Sequence, residues 1–205
     1  MSKNLKVGVM ASGRGSNFRS LAINCAVEEY PAEISLVVTD NPDAGALQIA
    51  EELKIDSAVV DCGNRKGSMT PQSSEKICSL FMDRGVGLVC LAGFMRIVKG
   101  KLLKEYSLRM INIHPALLPS FKGLHGQKQA LEYGVRYSGC TVHFVDKGID
   151  TGPIIIQKVV PVLQDDTEET LSERILEKEH KAYPEAVRLF AEGRLDIIGR
   201  RVFIR

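Results

Sequence analysis

The 205-residue sequence has no apolar run long enough to cross a bilayer, and its first apolar stretch, 5–11, is too short for a signal-peptide core with its flanks. It also has little excess charge of either sign. Lys and Arg number 27 against 25 Asp and Glu, a formal net charge of +2, whereas a dedicated nucleic-acid binder carries a strongly basic face. Neither a membrane nor a nucleic acid is expected as a partner, while a small anionic ligand in a local pocket remains compatible. Cys-x-x-Cys is absent. The five cysteines, Cys25, Cys62, Cys78, Cys90 and Cys140, are scattered and odd in number, so no zinc knuckle or disulfide framework is expected. They read as buried thiols of a protein in a reducing compartment, and the expected location is cytoplasmic. The four histidines, His114, His125, His143 and His180, lack metal-ligand spacing and no acidic cluster accompanies them, so no metal is expected. A Gly-x-Ser-x-Gly elbow is missing, which disfavours a serine hydrolase. No repeat, low-complexity tract or linker interrupts the chain, and a 44% hydrophobic chain of this length can bury one core: a single domain over 1–205 is the expectation.

What is present is an alternation of short apolar runs with amphipathic stretches, the pattern of βαβ units. Strands are expected at 5–11, 34–39, 58–61, 86–92, 110–113 and 141–145, with a longer one at 154–162, broken or at an edge where Pro161 stands. Helices are expected at 17–30, 44–53, 73–82, 127–133 and 167–191, the last started by a capping pair of Asp166 and Glu169. The segment 63–72 reads as a loop and the tail 195–205 as a terminal hairpin. The predicted fold class is α/β: an open, mostly parallel, twisted sheet with helices on both faces, Rossmann-like in its right-handed crossovers.

The first strand runs into Ala11-Ser12-Gly13-Arg14-Gly15-Ser16-Asn17 and then a helix. Glycines permit a tight turn and close approach to a ligand, and a helix N-terminus offers N–H groups to an anion. Ser16 or Asn17 could cap the helix. A plain turn, a dinucleotide site with Asp40 on a ribose, and a monophosphate site all compete; Phe18 stands where a third glycine would be, and no Gly-Lys-Ser/Thr follows, so a monophosphate fits best.

In Met110-Ile111-Asn112-Ile113-His114-Pro115, Asn112 and His114 share one side of a strand and Ile111 and Ile113 the other. Pro115 keeps His114 extended at the strand's C-terminal end, the edge where open α/β sheets bind ligands. Asp150, in Asp146-Lys147-Gly148-Ile149-Asp150-Thr151-Gly152-Pro153, sits in a shaped turn. It is either a carboxylate for His114 or an ordinary turn aspartate bonding its own backbone. His143 and Thr141 share a strand face and could position a water, although His143 also reads as a structural neighbour. Glu179 interrupts an apolar stripe between Ile175 and Tyr183 and either needs a partner or reaches solvent.

Asn112-Ile-His114-Pro115-Ala-Leu-Leu-Pro119-Ser-Phe with Asp150-Thr-Gly-Pro, and Ala92-Gly93-Phe94-Met95-Arg96-Ile97, resemble the motifs of the folate-dependent formyltransferases. The Ser12–Asn17 turn is similar to that of the branch acting on 5-phosphoribosylglycinamide in purine biosynthesis, and the resemblance covers essentially the whole chain. It implies a transferase of one-carbon metabolism that moves the formyl group of 10-formyltetrahydrofolate, its co-substrate, to the amine of 5-phosphoribosylglycinamide. It also implies Asn112, His114 and Asp150 as catalytic residues, with Gly15, Ser16, Asn17 and Glu179 on the phosphate and ribonucleotide. Met95, Arg96, Ile97 and Val98 would contact folate, as would Asn112, with Leu91 and Val145 lining the pterin pocket. Asn112 and a protonated His114 would donate to the oxyanion of a direct acyl transfer, with Asp150 keeping His114 cationic. Relatives often have glycine where Thr151 stands, and a folate-contacting arginine in the segment 63–72, where Arg65 or Lys66 would serve. Hydrolases of the same folate carry an extra N-terminal domain and tRNA formyltransferases an extra C-terminal one, so transfer to the ribonucleotide is the preferred expectation. Monomer and homodimer are both left open.

Overall fold

Strands buried on both faces read as continuous apolar runs rather than as alternation, which is why Lys6-Val-Gly-Val-Met10, Ser35-Leu-Val-Val-Thr39 and Leu88-Val-Cys-Leu91 form the centre of a parallel sheet. The computed structural model describes residues 4–63 and 67–205, and the chain divides into two compact units, Met1–Ile111 and Asn112–Arg205.

In the first unit the elements run β1 (Leu5–Met10), α1 (Ser16–Cys25), β2 (Ala32–Thr39), α2 (Gly45–Glu52), β3 (Ser57–Val59), α3 (Pro71–Asp83), β4 (Leu88–Leu91) and α4 (Gly100–Glu105), with strand order β3-β2-β1-β4 and parallel pairing. Val7, Val9, Leu36, Val37, Val38 and Leu88 are fully buried, with Phe18 and Leu21 of α1 and Ile77 and Phe81 of α3. Each such side chain contributes roughly 1.5–3 kcal/mol by leaving water. Gly8 has a specific reason to be glycine: a Cβ there would lie 2.5 Å from the Phe81 ring, which itself meets Tyr106 edge-on at 6.2 Å.

The second unit holds most of β5 (Met110–His114), then α5 (Gly126–Tyr133), β6 (Tyr137–Phe144), β7 (Ile154–Pro161), α6 (Glu168–Ala191), β8 (Leu195–Ile198) and β9 (Arg201–Ile204), in strand order β5-β6-β7-β9-β8. β6 and β7 pair antiparallel with an irregularity between Val142 and His143, and β8 and β9 form the terminal hairpin expected from the tail. α6 lies on β6 and β7 through Leu171, Ile175, Ala182, Tyr183, Ala186 and Val187, all buried. The fold class is α/β, with mostly parallel strands and helices on both faces.

Several boundaries differ from expectation for physical reasons. β6 starts four residues before 141 because Gly139 lets the backbone of Lys158 approach: a Cβ there would lie 2.0 Å from the Lys158 carbonyl oxygen. Helix α1 stops at Cys25, and the rest of 17–30 becomes a turn in which the Tyr30 N–H donates to Val27 O. Helix α3 begins inside the expected 63–72 loop, with Thr70 capping the Ser73 N–H at 3.1 Å and Pro71 in its first turn. α4 is too short for periodicity to reveal; Ser74 holds it, donating to Lys99 O at 2.6 Å and accepting the Leu102 N–H at 3.0 Å. α6 is not capped by Asp166 and Glu169. Its cap is Thr167 paired reciprocally with Thr170, while Asp166 receives Arg174 (2.6 and 2.8 Å) and the Leu163 N–H. Among the described residues no helix is long and apolar enough to cross a membrane. All five cysteines are free, four buried and Cys25 half-buried; burial pushes the thiols of Cys25 and Cys140 up to about 12.

Candidate active site

In the second unit, β5 delivers Asn112 and His114 as its alternation requires, with Ile113 buried on the opposite side and His114 itself 4% exposed. The 146–153 turn brings Asp150 to the same pair. Asp150 Oδ2 lies 3.4 Å from His114 Nδ1 and accepts the Gly123 N–H at 2.8 Å; Oδ1 lies 3.5 Å from Asn112 Nδ2 and 3.5 Å from His143 Nε2. The turn is built to hold that carboxylate. Asp146 Oδ1 accepts from the Gly148 N–H and from Thr151 Oγ1 (2.6 Å), the Phe144 N–H donates to Pro153 O, and Asp150 adopts φ +50°, a conformation L-residues seldom take. Asp150 therefore turns its carboxylate to Gly123, His114 and Asn112 rather than to the backbone of its own turn.

His114 Nε2 donates to Phe121 O at 2.8 Å, and His143 Nδ1 donates to Phe144 O at 2.8 Å, leaving its Nε2 3.3 Å from Asn112 Nδ2. The Phe121 loop is itself anchored: Thr141 Oγ1 donates to Ala116 O (2.7 Å) and accepts the Leu118 N–H (3.1 Å), while Gln157 Nε2 reaches Leu118 O (2.9 Å). Thr141 thus positions backbone rather than a water. Burial lowers the His114 pKa, and this outweighs the raising effects of Asp150 and of the Phe121 carbonyl, so the net is below the ordinary histidine value. The expectation that Asp150 keeps His114 cationic is corrected on this point. Burial alone would raise Asp150, but the contact with His143, the Gly123 N–H and the charge of His114 hold it below the usual carboxylate range. A half-buried amide donor and an imidazole whose pKa burial lowers therefore meet one carboxylate, which lies 3.5 Å from the amide and 3.4 Å from the imidazole, a set able to stabilise and deprotonate an addition to a carbonyl.

Glu179 in α6 does not reach solvent: it is 6% exposed, and its charge adds to burial in raising Cys140. Val145, directly after β6, is half-buried.

In the first unit, α1 opens with Gly15 in the left-handed region (φ 77°) and no side-chain cap, so neither Ser16 nor Asn17 caps it. A Cβ on Gly15 would lie 2.9 Å from Ala46 Cα, which makes glycine obligatory on both conformational and steric grounds. The first turn carries no acidic residue, as suits an anion site. Asp40 is not available to a ribose, a further argument against the dinucleotide alternative that Phe18 already disfavours: its Oδ1 accepts from Ser12 Oγ at 2.5 Å and its Oδ2 from Arg96 Nε at 2.6 Å. In the expected folate segment, Met95 is 57% exposed, Ile97 half-buried and Leu91, Arg96 and Val98 buried. The Met95 N–H donates to Ser12 Oγ (2.9 Å), and the Ile97 N–H and C=O pair with Gly67 and Met69. Arg65 and Lys66 lie outside the described residues.

The groups sequence reasoning missed or undervalued are His143, the Phe121 carbonyl, the Gly123 N–H and the Ser12–Asp40 contact. Only His143 carried a signal, its shared strand face with Thr141. Among the described residues no cluster of His, Cys, Asp and Glu could hold a metal ion.

A strand-end amide, imidazole and carboxylate on an α/β scaffold define a site for acyl-group chemistry. The chain belongs to the formyl transferase family, which residues 5–187 match. It is 44% identical over 193 residues to the trifunctional purine biosynthetic protein adenosine-3 of Gallus gallus, covering 94% of this chain but only 19% of that protein. The phosphoribosylglycinamide formyltransferase of Bacillus subtilis is 39% identical, with 89% of this chain and 93% of that one covered. Among solved structures, glycinamide ribonucleotide transformylase 1 from Symbiobacterium toebii superposes with a TM-score of 0.94 at 45% identity, over 100% of this chain and 95% of that one.

Proposed function

We propose that the protein transfers the formyl group of 10-formyltetrahydrofolate to the amine of 5-phosphoribosylglycinamide, acting as one formyltransferase domain in the cytoplasm. The observation that carries this reading is the cluster at the end of β5 in which Asp150 lies 3.5 Å from Asn112 and 3.4 Å from His114. A neutral amine attacking a formyl carbon generates an oxyanion and an excess proton on nitrogen. Asn112 Nδ2 is the donor for the oxyanion, an interaction worth ~10²–10³ in rate. The lowered His114 pKa leaves the ring free to accept a proton, and Asp150, ionised beside it, stabilises the imidazolium that results. The co-substrate supplies an activated formyl on nitrogen, and no covalent link to the protein is needed.

Gly15, Ser16 and Asn17 are assigned to the phosphate, and buried Glu179 to the ribonucleotide, whose amine or hydroxyl groups suit a carboxylate acceptor. Leu91, Met95, Ile97, Val98 and Val145 are assigned to the folate, and Arg96 through its backbone alone. With the Met95 and Ile97 amides already paired inside the protein, the apolar Met95 side chain is the principal exposed contact of that segment.

The test is a spectrophotometric formyl-transfer assay with and without 5-phosphoribosylglycinamide. Tetrahydrofolate formed only in the presence of the ribonucleotide supports the assignment. Product formed without an acceptor means a hydrolase, and no turnover in either case refutes the substrate pair.

A further inference from the structure

Arg96 was assigned to folate by resemblance, yet its side chain is turned inward. Its guanidinium is 2% exposed and the Asp40 carboxylate it meets 6% exposed, so this is a buried ion pair with Nε–Oδ2 at 2.6 Å. Arg96 Nη2 also reaches Gly63 O at 3.2 Å. The other carboxylate oxygen takes the Ser12 hydroxyl at 2.5 Å, and that hydroxyl in turn accepts the Met95 N–H at 2.9 Å. Ser12 is tied by its backbone too: its N–H donates to Gly93 O at 3.1 Å, and its carbonyl accepts Asn41 Nδ2 at 3.3 Å. One carboxylate at the end of β2 therefore joins the head of the Gly-rich turn, the 93–98 segment and Gly63.

A buried ion pair is a poor device for stability, because desolvation cancels much of its attraction; its better-attested use is to fix one geometry among several. The geometry fixed here is that of two ligand-bearing segments. Resting on the function proposed above, we propose that Ser12, Asp40 and Arg96 are positioning residues that hold the phosphate turn (12–17) and the folate segment (93–98) in one register. Neither Asp40 nor the Arg96 guanidinium touches a substrate; each acts through backbone. Disturbing any one member then weakens both substrates together, although the segments lie about 80 residues apart in the chain.

The test uses the full-length protein with Ser12→Ala, Ser12→Thr and Asp40→Asn, and has two arms. In steady-state kinetics, Ser12→Ala raises KM for 5-phosphoribosylglycinamide and for 10-formyltetrahydrofolate, each about tenfold, with kcat within about threefold. Ser12→Thr, which keeps the hydroxyl, restores both KM values to within about twofold. A rise confined to the ribonucleotide KM would make Ser12 a plain phosphate contact and overturn the proposal, as would unchanged values for both. In amide hydrogen exchange without any substrate, Asp40→Asn accelerates exchange in 12–17 and in 93–98 together, while the β1 core amides stay protected. Acceleration in one segment only, or uniformly across the protein, overturns the linkage. Should the wild type show no formyl transfer, the functional assignment falls, and the exchange arm still decides whether the two segments are coupled.

Discussion

Replacing Asp150 by Asn tests the chemistry most directly. The carboxylate answers four groups: the Gly123 N–H at 2.8 Å and His114 Nδ1 at 3.4 Å through Oδ2, and Asn112 Nδ2 and His143 Nε2, both at 3.5 Å, through Oδ1. An amide has one oxygen. Left on Gly123, it turns its NH2 toward Asn112, donor against donor; flipped, it leaves the Gly123 N–H facing another donor. Either way a contact is lost and the charge beside His114 disappears. Disturbing the orientation of the oxyanion donor Asn112 costs at most the ~10²–10³ in rate of losing it, and loss of assisted proton transfer ~10²–10⁴. Groups acting as a unit do not multiply their losses, so kcat should fall about 10³-fold, or about 4 kcal/mol of transition-state stabilisation. Asp150 is not assigned to substrate binding in the ground state, so both KM values should stay within about threefold. Steady-state assays with each substrate varied, alongside a thermal melt to establish folding, measure this. A folded variant that keeps kcat within tenfold of wild type, or that changes only KM, would refute the assignment and return Asp150 to a structural turn.

Burial holds the pKa values of His114 and His180 below the ordinary 6.5. The unfolded chain then binds more protons than the native state as pH falls through 6.5, so stability contributed above that pH is lost below it. Tm should decline from pH 7.5 to about 5, and His114→Gln should flatten the decline. The acid limb of kcat/KM should titrate below 6.5 for the same reason; a limb above 6.5 would contradict it. Thr151→Gly removes the 2.6 Å bond to Asp146 and with it about 1 kcal/mol of loop order, so exchange in 146–152 should quicken and kcat fall several-fold with Tm little changed. Phe81→Ala empties the space beside Gly8 and should cost about 3–5 kcal/mol in urea unfolding.

The parts of this protein readable from sequence are those governed by a local rule. The period of two places Asn112 and His114 on one side of β5, Pro115 ends the strand, and the Gly-rich turn leads directly into α1; each needs only neighbours in the chain. Parts that depend on distant partners carry no such local rule. Asp40 at the end of β2 looks the same whether it faces a ribose or Arg96, 56 residues further on. Asp166 and Glu169 have the spacing of a helix cap, yet Arg174 claims Asp166 and the threonines cap instead. The Phe121 carbonyl and the Gly123 N–H carry no signal at all, since every residue has a backbone. The protonation of His114 is the hardest case, because it is a difference between opposing effects: attraction to Asp150 can be anticipated from the motif, but the cost of burying charge depends on how deeply the strand end is packed. That cost prevails here and sets the ring below the ordinary histidine value.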